Sequence, residues 1–204
     1  CNSACPAGEN IQGWMALAQA GDYQGAFQIL MEDNPFPAIM GRVCVKPCET
    51  GCNRTHIDTT VNIHAVERYI GDEAIKQQWE ILNLAPASGK RILVVGAGPG
   101  GLSAAYHLAR MGHTVEIFEA GSYPGGLLWT GVPDYRLPKD ILDAEINRIV
   151  KMGVTIRLNY KVNDVQEEKA IGNFDAVYLS TGAQVIHKET FEKLLKGTYI
   201  NIEL

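Results

Sequence analysis

The amino-acid sequence predicts two domains in series, an α-helical one and then an open α/β one built on a parallel sheet. Three observations carry that expectation. Up to about residue 82 the apolar residues recur at helical spacing. Leu84-Ala85-Pro86-Ala87-Ser88-Gly89-Lys90 is then a linker of small residues. Beyond it, short apolar runs alternate with helical stretches, as in a parallel sheet with crossover helices. The domains expected from this are residues 1–84 and 90–183, with residues 184–204 as a C-terminal tail.

Within the first domain, residues 11–31 read as a helical hairpin. Trp14, Leu17 and Ala18 share a face of its first helix, Gly21-Asp22 breaks it, and Ala26, Phe27, Ile29 and Leu30 continue on the second. Asp33-Asn34-Pro35-Phe36-Pro37 cannot stay helical, because proline lacks the amide donor and constrains its predecessor. The run from Cys44 to Cys52 is a loop. A further helix over about residues 61–82 has Ile63, Val66, Ile70 and Ile75 on its inner side. In the second domain residues 91–95 form the apolar run of a strand buried on both faces. A helix over 101–111, a strand over 114–118, a helix over 138–152 and strands over 154–158 and 176–180 follow. A short helix over 190–196 and a strand over 199–202 are expected in the tail.

Composition narrows the function classes. A net charge of -5 and a pI near 5.5, with no basic run, argue against a nucleic-acid or anionic-membrane surface. No stretch approaches the roughly 18 consecutive apolar residues of a membrane span. The cysteines, Cys1, Cys5, Cys44, Cys48 and Cys52, all lie in the first quarter of the chain. An odd number of thiols, clustered ahead of a nucleotide-binding unit, fits metal ligation in a reducing, cytoplasmic compartment better than a disulfide framework.

That nucleotide-binding unit rests on Gly96-Ala97-Gly98-Pro99-Gly100-Gly101, a G-x-G-x-x-G turn. The motif is weak alone, but here a strand leads in and a helix leads out. Gly96 suits the tight turn, Gly98 admits the pyrophosphate to the backbone, and Gly101 lets helix pack on strand; the phosphates would meet free amides at the helix N-terminus. Glu119 ends the second strand about 20 residues on, where a carboxylate accepts from the ribose hydroxyls of an adenine dinucleotide and repels a 2′-phosphate.

The cysteines leave more than one reading open. Cys1-x3-Cys5-Pro6 and Cys44-x3-Cys48-x3-Cys52 lie at the two ends of the helical hairpin, which could fold back to bring them together. Converging thiolates on loops fit iron–sulfur clusters. Cys44, Cys48, Cys52 and His56 would equally compose a tetrahedral zinc site, and reduced structural thiols are the third possibility. A neighbouring flavin would favour iron–sulfur, since zinc has no redox chemistry.

Several motifs together resemble a known family. Cys1-Asn2-Ser3-Ala4-Cys5-Pro6, Asn34-Pro35-Phe36-Pro37, Gly41-Arg42-Val43-Cys44, Cys48-Glu49-x-x-Cys52 and the stretch from Gly125-Gly126-Leu127-Leu128-Trp129 to Leu137-Pro138 are similar to the NADPH-dependent glutamate synthase small subunit. The same module resembles the N-terminal part of dihydropyrimidine dehydrogenase and the flavin subunits of electron-bifurcating ferredoxin:NADP oxidoreductases. The resemblance covers about residues 1–183 and implies a helical iron–sulfur domain followed by a Rossmann-like, FAD-binding domain. FAD rather than NAD(H) is implied by the family's form of the stretch at Gly126 and Leu127 and of the later turn Leu179-Ser180-Thr181-Gly182-Ala183. The dinucleotide would then be held at Gly96, Gly98, Pro99, Gly100, Gly101, Glu119, Gly126, Leu127, Thr181 and Gly182.

The resemblance also implies two [4Fe-4S] clusters. Cys5, Cys44 and Cys48 would hold one, with Glu67 at the position of the family's non-cysteine ligand. Cys1 and Cys52 would hold half of the other, whose remaining ligands fall in an upstream C-x-x-C that this sequence does not contain. The function implied is electron transfer from NADPH through FAD to the clusters and on to a partner, such as a glutamate synthase large subunit or ferredoxin. The family continues into an NAD(P)H-binding domain, and with no second glycine-rich turn here the chain reads as a fragment. The alternatives are a zinc-stabilised docking module without enzymatic activity and a fragment of an NAD-dependent dehydrogenase. No catalytic acid or base is assigned; His107 and His113 read as surface residues.

Overall fold

A computed structural model describes residues 1–182. The helix and strand expected over 190–202 lie outside these residues, as does Ala183. The chain divides into two compact units, Cys1–Leu82 with Pro133–Glu145, and Asn83–Val132 with the chain from Ile146 onward. Residues 133–145, which sequence order alone assigns to the α/β domain, thus group with the helical unit.

The helical unit opens with a 3-10 turn, Asn2–Ala4, and then α1 (Ile11–Gln19) and α2 (Tyr23–Asp33) form the hairpin expected from periodicity. Each is capped by the residue before it. Asn10 Oδ1 accepts from the Gly13 N–H at 3.1 Å and Asp22 Oδ1 from the Gly25 N–H at 2.8 Å. Trp14, Phe27, Leu30 and Met31 are fully buried between the helices.

Asn34 then turns the chain, its Oδ1 accepting from the Phe36 N–H at 2.9 Å, and α3 (Pro37–Val43) starts with proline at its first position. The prolines mark the break in the sequence, but no periodicity marks the short helix that follows it. Residues 44–52, expected as loop, contain a single turn, α4 (Pro47–Thr50).

Helix α5 (Ile63–Lys76) buries Ile63, Glu67, Ile70, Gly71 and Ala74, and it ends six residues before the expected boundary. Gln78 adopts φ 55° and the Trp79 N–H bonds the Ala74 carbonyl at 3.0 Å, a left-handed closure made without glycine. Trp79 then turns back onto Phe27, ring centroids 5.7 Å apart. α3 and α5 cross in backbone contact. A Cβ on Gly71 would collide with the backbone nitrogen of Ala38, and one on Gly41 would stand 2.5 Å from the Cα of Arg68. Beside the crossing Arg42 grips Asp72 through two bonds of 2.6 and 3.0 Å.

The α/β unit contains β1 (Arg91–Val95), α6 (Pro99–Arg110), β2 (Thr114–Phe118), α7 (Leu127–Thr130), the C-terminal part of α8 (Lys139–Lys151), β3 (Thr155–Arg157), α9 (Val165–Ile171) and β4 (Ala176–Leu179). The sheet is parallel, in the order β3-β2-β1-β4. Central β1 pairs Val95 with Phe118 on one side and with Leu179 on the other. Leu93, Val95, Phe118 and Phe174 form a buried cluster at the sheet. The strand order reverses between β1 and β4, so the carboxyl ends of these strands open a crevice at the topological switch point.

The crossing of α3 and α5 yields a stability prediction. Gly71→Ala places a methyl where backbone already lies, and overpacking of this kind costs about 1–3 kcal/mol. Urea unfolding followed by Trp14 and Trp79 fluorescence should show the midpoint fall. An unchanged midpoint would mean that the helices do not meet at this residue.

Candidate functional site

The crevice of the α/β unit is shaped by its glycine-rich turn. Gly96 takes φ 106°, and a Cβ there would strike the Ser180 carbonyl oxygen; a Cβ on Gly101 would strike the Gly96 carbonyl oxygen. These two positions close the turn onto β4 and α6. Gly98 differs: it is extended, and a Cβ on it meets nothing within 4 Å. The open space lies at the N-terminus of the twelve-residue α6, which has Pro99 in its first turn and no side-chain cap. Uncapped amides beside a vacant, side-chain-free volume suit a diphosphate.

Glu119 stands at the edge of the same turn. Its Oε2 accepts from the Ala97 N–H and its Oε1 from the Gly121 N–H, both at 2.7 Å. A carboxylate has about four acceptor sites, so ribose hydroxyls can still be bonded while the backbone fixes its orientation. The Gly125 N–H bonds the Ala97 carbonyl at 2.7 Å, and a Cβ on Gly126 would come 2.9 Å from the Cα of Gly98. Thr181 borders Gly96 on the opposite side, and Gly182 follows with φ 75°. The structure therefore gathers Gly96, Gly98, Gly100, Gly101, Glu119, Gly126 and Thr181 round one crevice. Pro99 and Leu127 are exposed at its border. His107 and His113 are half-buried rather than superficial, and His113 Nδ1 pairs with Ser88 Oγ at 2.6 Å.

In the helical unit the two cysteine segments do come together. The 3-10 turn that links Cys1 to Cys5 packs on α4, with a Cβ on Gly51 falling 3.1 Å from that of Ala4. All five cysteines are free thiols. Cys44 and Cys48 both lie within the field of Cys5, and Cys44 within that of Glu67. Burial pushes the Cys44 thiol up and the Cys48 thiol up to about 11. Cys52 differs: its sulfur accepts from the backbone of Val61 and Arg54, which lowers its pKa, and the Cys1 amino group acts on it in the same direction.

Among the described residues no three His, Cys, Asp or Glu side chains converge at single-ion spacing. His56 is exposed, whereas Cys48 and Cys52 are buried. A cubane cluster binds each ligand to a different iron, and its ligands stand further apart than those of one ion.

Buried carboxylates were not anticipated here, Glu67 excepted. Glu9, Glu49, Glu67 and Glu145 are each less than a tenth exposed. Burial, with Glu9 and then Glu145 adding repulsion, pushes the Glu67 carboxyl up to about 9 against the opposing bond from Asn34. Burial likewise raises Glu9. Asn34 Nδ2 donates to Glu67 Oε1 at 2.8 Å and to Glu9 Oε1 at 3.0 Å. Glu145 Oε2 accepts from the Ile39 N–H at 3.3 Å. Glu49, next to Cys48, accepts from the His64 N–H at 3.0 Å and so ties the cysteine loop to the first turn of α5. One signal was present in the sequence: Glu67 falls on the same helical stripe as Ile63, Ile70 and Ala74, an acid in an apolar register.

The chain thus joins a helical unit that carries all five cysteines to a Rossmann-like unit with a glycine-rich turn, the class of a 4Fe-4S and NAD(P)-binding domain pair. Residues 1–79 match the family described as dihydropyrimidine dehydrogenase domain II, 4Fe-4S cluster, and residues 94–151 the NAD(P)-binding Rossmann-like domain. The beta subunit of the NADP(+)-dependent formate dehydrogenase of Moorella thermoacetica is 37% identical over 89% of this chain. Subunit PreT of the NAD-dependent dihydropyrimidine dehydrogenase of Escherichia coli K12 and the glutamate synthase [NADPH] small chain of Bacillus subtilis are each 35% identical over 89% of it. Over this span the chain is similar to glutamate synthase small chains and to dihydropyrimidine dehydrogenase subunits. It spans 29%, 45% and 37% of the length of those three relatives respectively.

The two crevice glycines separate fold from ligand. Gly98→Ala adds a methyl to open space and should leave the melting temperature unchanged while weakening dinucleotide retention at least about tenfold, since a 1 Å displacement at a phosphate contact is worth that much. Gly101→Ala should instead lower the melting temperature. Equal melting losses in the two variants would show that the space beside Gly98 is not a ligand volume.

Proposed function

We propose that this chain is the FAD and iron–sulfur electron-transfer unit of an NAD(P)H-dependent oxidoreductase. The observation that supports this best is a unit that matches a 4Fe-4S domain and carries all five cysteines, on the chain that also carries the crevice at Gly98 and Glu119. FAD is the dinucleotide that the stretch at Gly126 and Leu127 and the turn at Thr181-Gly182 favour. When bound, flavin and clusters together divide a two-electron hydride donation into single-electron transfers.

The chain's own residues bind and tune. The amides at the start of α6 hold the diphosphate, Gly98 keeps its volume clear, and Glu119 orients the adenosine ribose. Cys5, Cys44, Cys48 and Glu67 hold one cluster; Cys1 and Cys52 contribute to a second. A carboxylate among three thiolates alters the charge and donor type at one iron, and these set a cluster's potential. Burial of Cys48 and Glu67 limits water at that cluster, a second determinant of potential.

The electron donor is NADPH or NADH, and the acceptor is a catalytic partner such as a glutamate synthase large subunit, or ferredoxin. Among the described residues no helix is long and apolar enough to cross a membrane. Five free thiols agree with a reducing, cytoplasmic setting.

Protein purified without oxygen should show paired flavin bands over a broad absorption that dithionite bleaches. Glu119→Ala should remove the flavin bands selectively. Cys44→Ser should lower the iron and sulfide content while leaving the flavin in place. Protein that carries zinc and no sulfide would sink the proposal in favour of a docking module, and bound NAD without flavin would favour a dehydrogenase.

A further inference from the structure

Asn34 bonds both Glu67 and Glu9, and none of the ligand or nucleotide assignments uses it. Its nitrogen has two hydrogens, and both are engaged, one by Glu67 Oε1 at 2.8 Å and one by Glu9 Oε1 at 3.0 Å. Its oxygen accepts from the Phe36 N–H at 2.9 Å. That third bond determines which end of the amide is which. Turned over, the side chain would set oxygen against two carboxylates and nitrogen against a backbone N–H. Asn34 is itself only 4% exposed, and the Pro35-Phe36-Pro37 turn into α3 fixes its backbone.

We propose that Asn34 is the positioning residue that holds Glu67 in the orientation a cluster iron requires. This rests on the reading of Glu67 as a ligand. Asn34 takes one oxygen of that carboxylate, which leaves Oε2 as the oxygen for iron. A glutamate has three rotatable torsions, and fixing Oε1 removes most of their freedom before a metal arrives. The chemistry of the amide matters as much as its place. A lysine or arginine here would compete with iron for Glu67 as an ion-pair partner, whereas a neutral double donor orients the carboxyl group without adding a charge. Glu9 serves as the second anchor: it occupies the other hydrogen of the amide, and the buried indole N–H of Trp14, which makes no full hydrogen bond of its own, lies within its field. The chain Glu9, Asn34, Glu67 thus runs from the segment after Cys5 to the middle of α5.

The test uses the whole chain with its clusters reconstituted anaerobically from iron and sulfide. Potentiometric titration and EPR of the reduced protein would be compared for wild type, Asn34→Ala, Glu67→Ala and the double variant. Asn34→Ala should change the reduced-to-oxidised ratio of the Cys5, Cys44 and Cys48 cluster about tenfold at fixed potential, ~59 mV for one electron. The double variant should match Glu67→Ala alone, because Asn34 acts through Glu67. An unmoved potential and EPR signal in Asn34→Ala, alongside a moved one in Glu67→Ala, would overturn the inference. So would additive shifts, or cluster loss in Asn34→Ala but not in Glu67→Ala. If Glu67→Ala itself moves nothing, the ligand reading fails first, and the inference goes with it by a distinguishable route. Should Asn34→Ala not fold, Asn34→Ser keeps a hydroxyl acceptor for the Phe36 N–H, lacks both amide donors and adds no charge, and it carries the same expectations.

Discussion

A carboxyl group buried against an amide and other acids dictates much of the helical unit. Glu67 is only 6% exposed, and taking an ionisable group out of water is costly unless something bonds it. Asn34 supplies that bond, and it can do so only from backbone that has left the helix. The break after α2 is therefore more than a proline effect. It presents the amide, and it restarts the chain at Pro37 so that α3 crosses α5 at Gly41 and Gly71. The crossing in turn brings the end of α3, where Cys44 begins the cysteine loop, to the helix that bears Glu67. Sequence, turn, crossing and donor set form one dependency. Removing the side chain at Gly71 is as necessary to it as supplying the one at Asn34.

The loop that follows is fastened in a second way. Glu49 is buried between Cys48 and the start of α5, and it caps that helix in place of Asn62, whose own side chain makes no cap. Thr60 adds a bond from its hydroxyl to the Glu49 carbonyl at 3.0 Å. A loop carrying three thiols is thereby held at both its centre and its exit without a metal. Pre-organisation of this kind lowers the ordering cost of binding. It does not remove the proton cost: the raised thiols of Cys44 and Cys48 must lose protons to become ligands, so binding a cluster releases protons.

What the sequence made legible follows from how burial is patterned. Strands β1 and β2 were readable to the residue: β1 is a nearly unbroken apolar run ending in a turn, and β2 alternates Thr114 and Glu116 with buried Val115 and Ile117. Helices α3, α4, α7 and α9 were not, since at four to seven residues they are too short for a 3.6-residue period to register. The end of α5 was misplaced because the chain reverses at Gln78, a residue that carries no stop signal. The dinucleotide crevice was legible from its glycines and Glu119. The polar interior of the helical unit was not, with the partial exception of Glu67. Glu9, Glu49 and Glu145 look like solvated acids in any sequence, and their burial arises from tertiary packing alone.

The two sites therefore solve opposite electrostatic problems with similar means. In the crevice, backbone N–H groups of Ala97 and Gly121 hold a carboxylate that remains half-exposed, and α6 offers its amides to an anion. In the helical unit, a side-chain amide bonds a carboxyl group that is only 6% exposed. A backbone donor costs no side-chain entropy and suits a site that solvent already stabilises. A buried acid next to other acids needs a donor that can face two of them at once. Among neutral side chains, asparagine is the shortest that brings two N–H groups and an acceptor to one point.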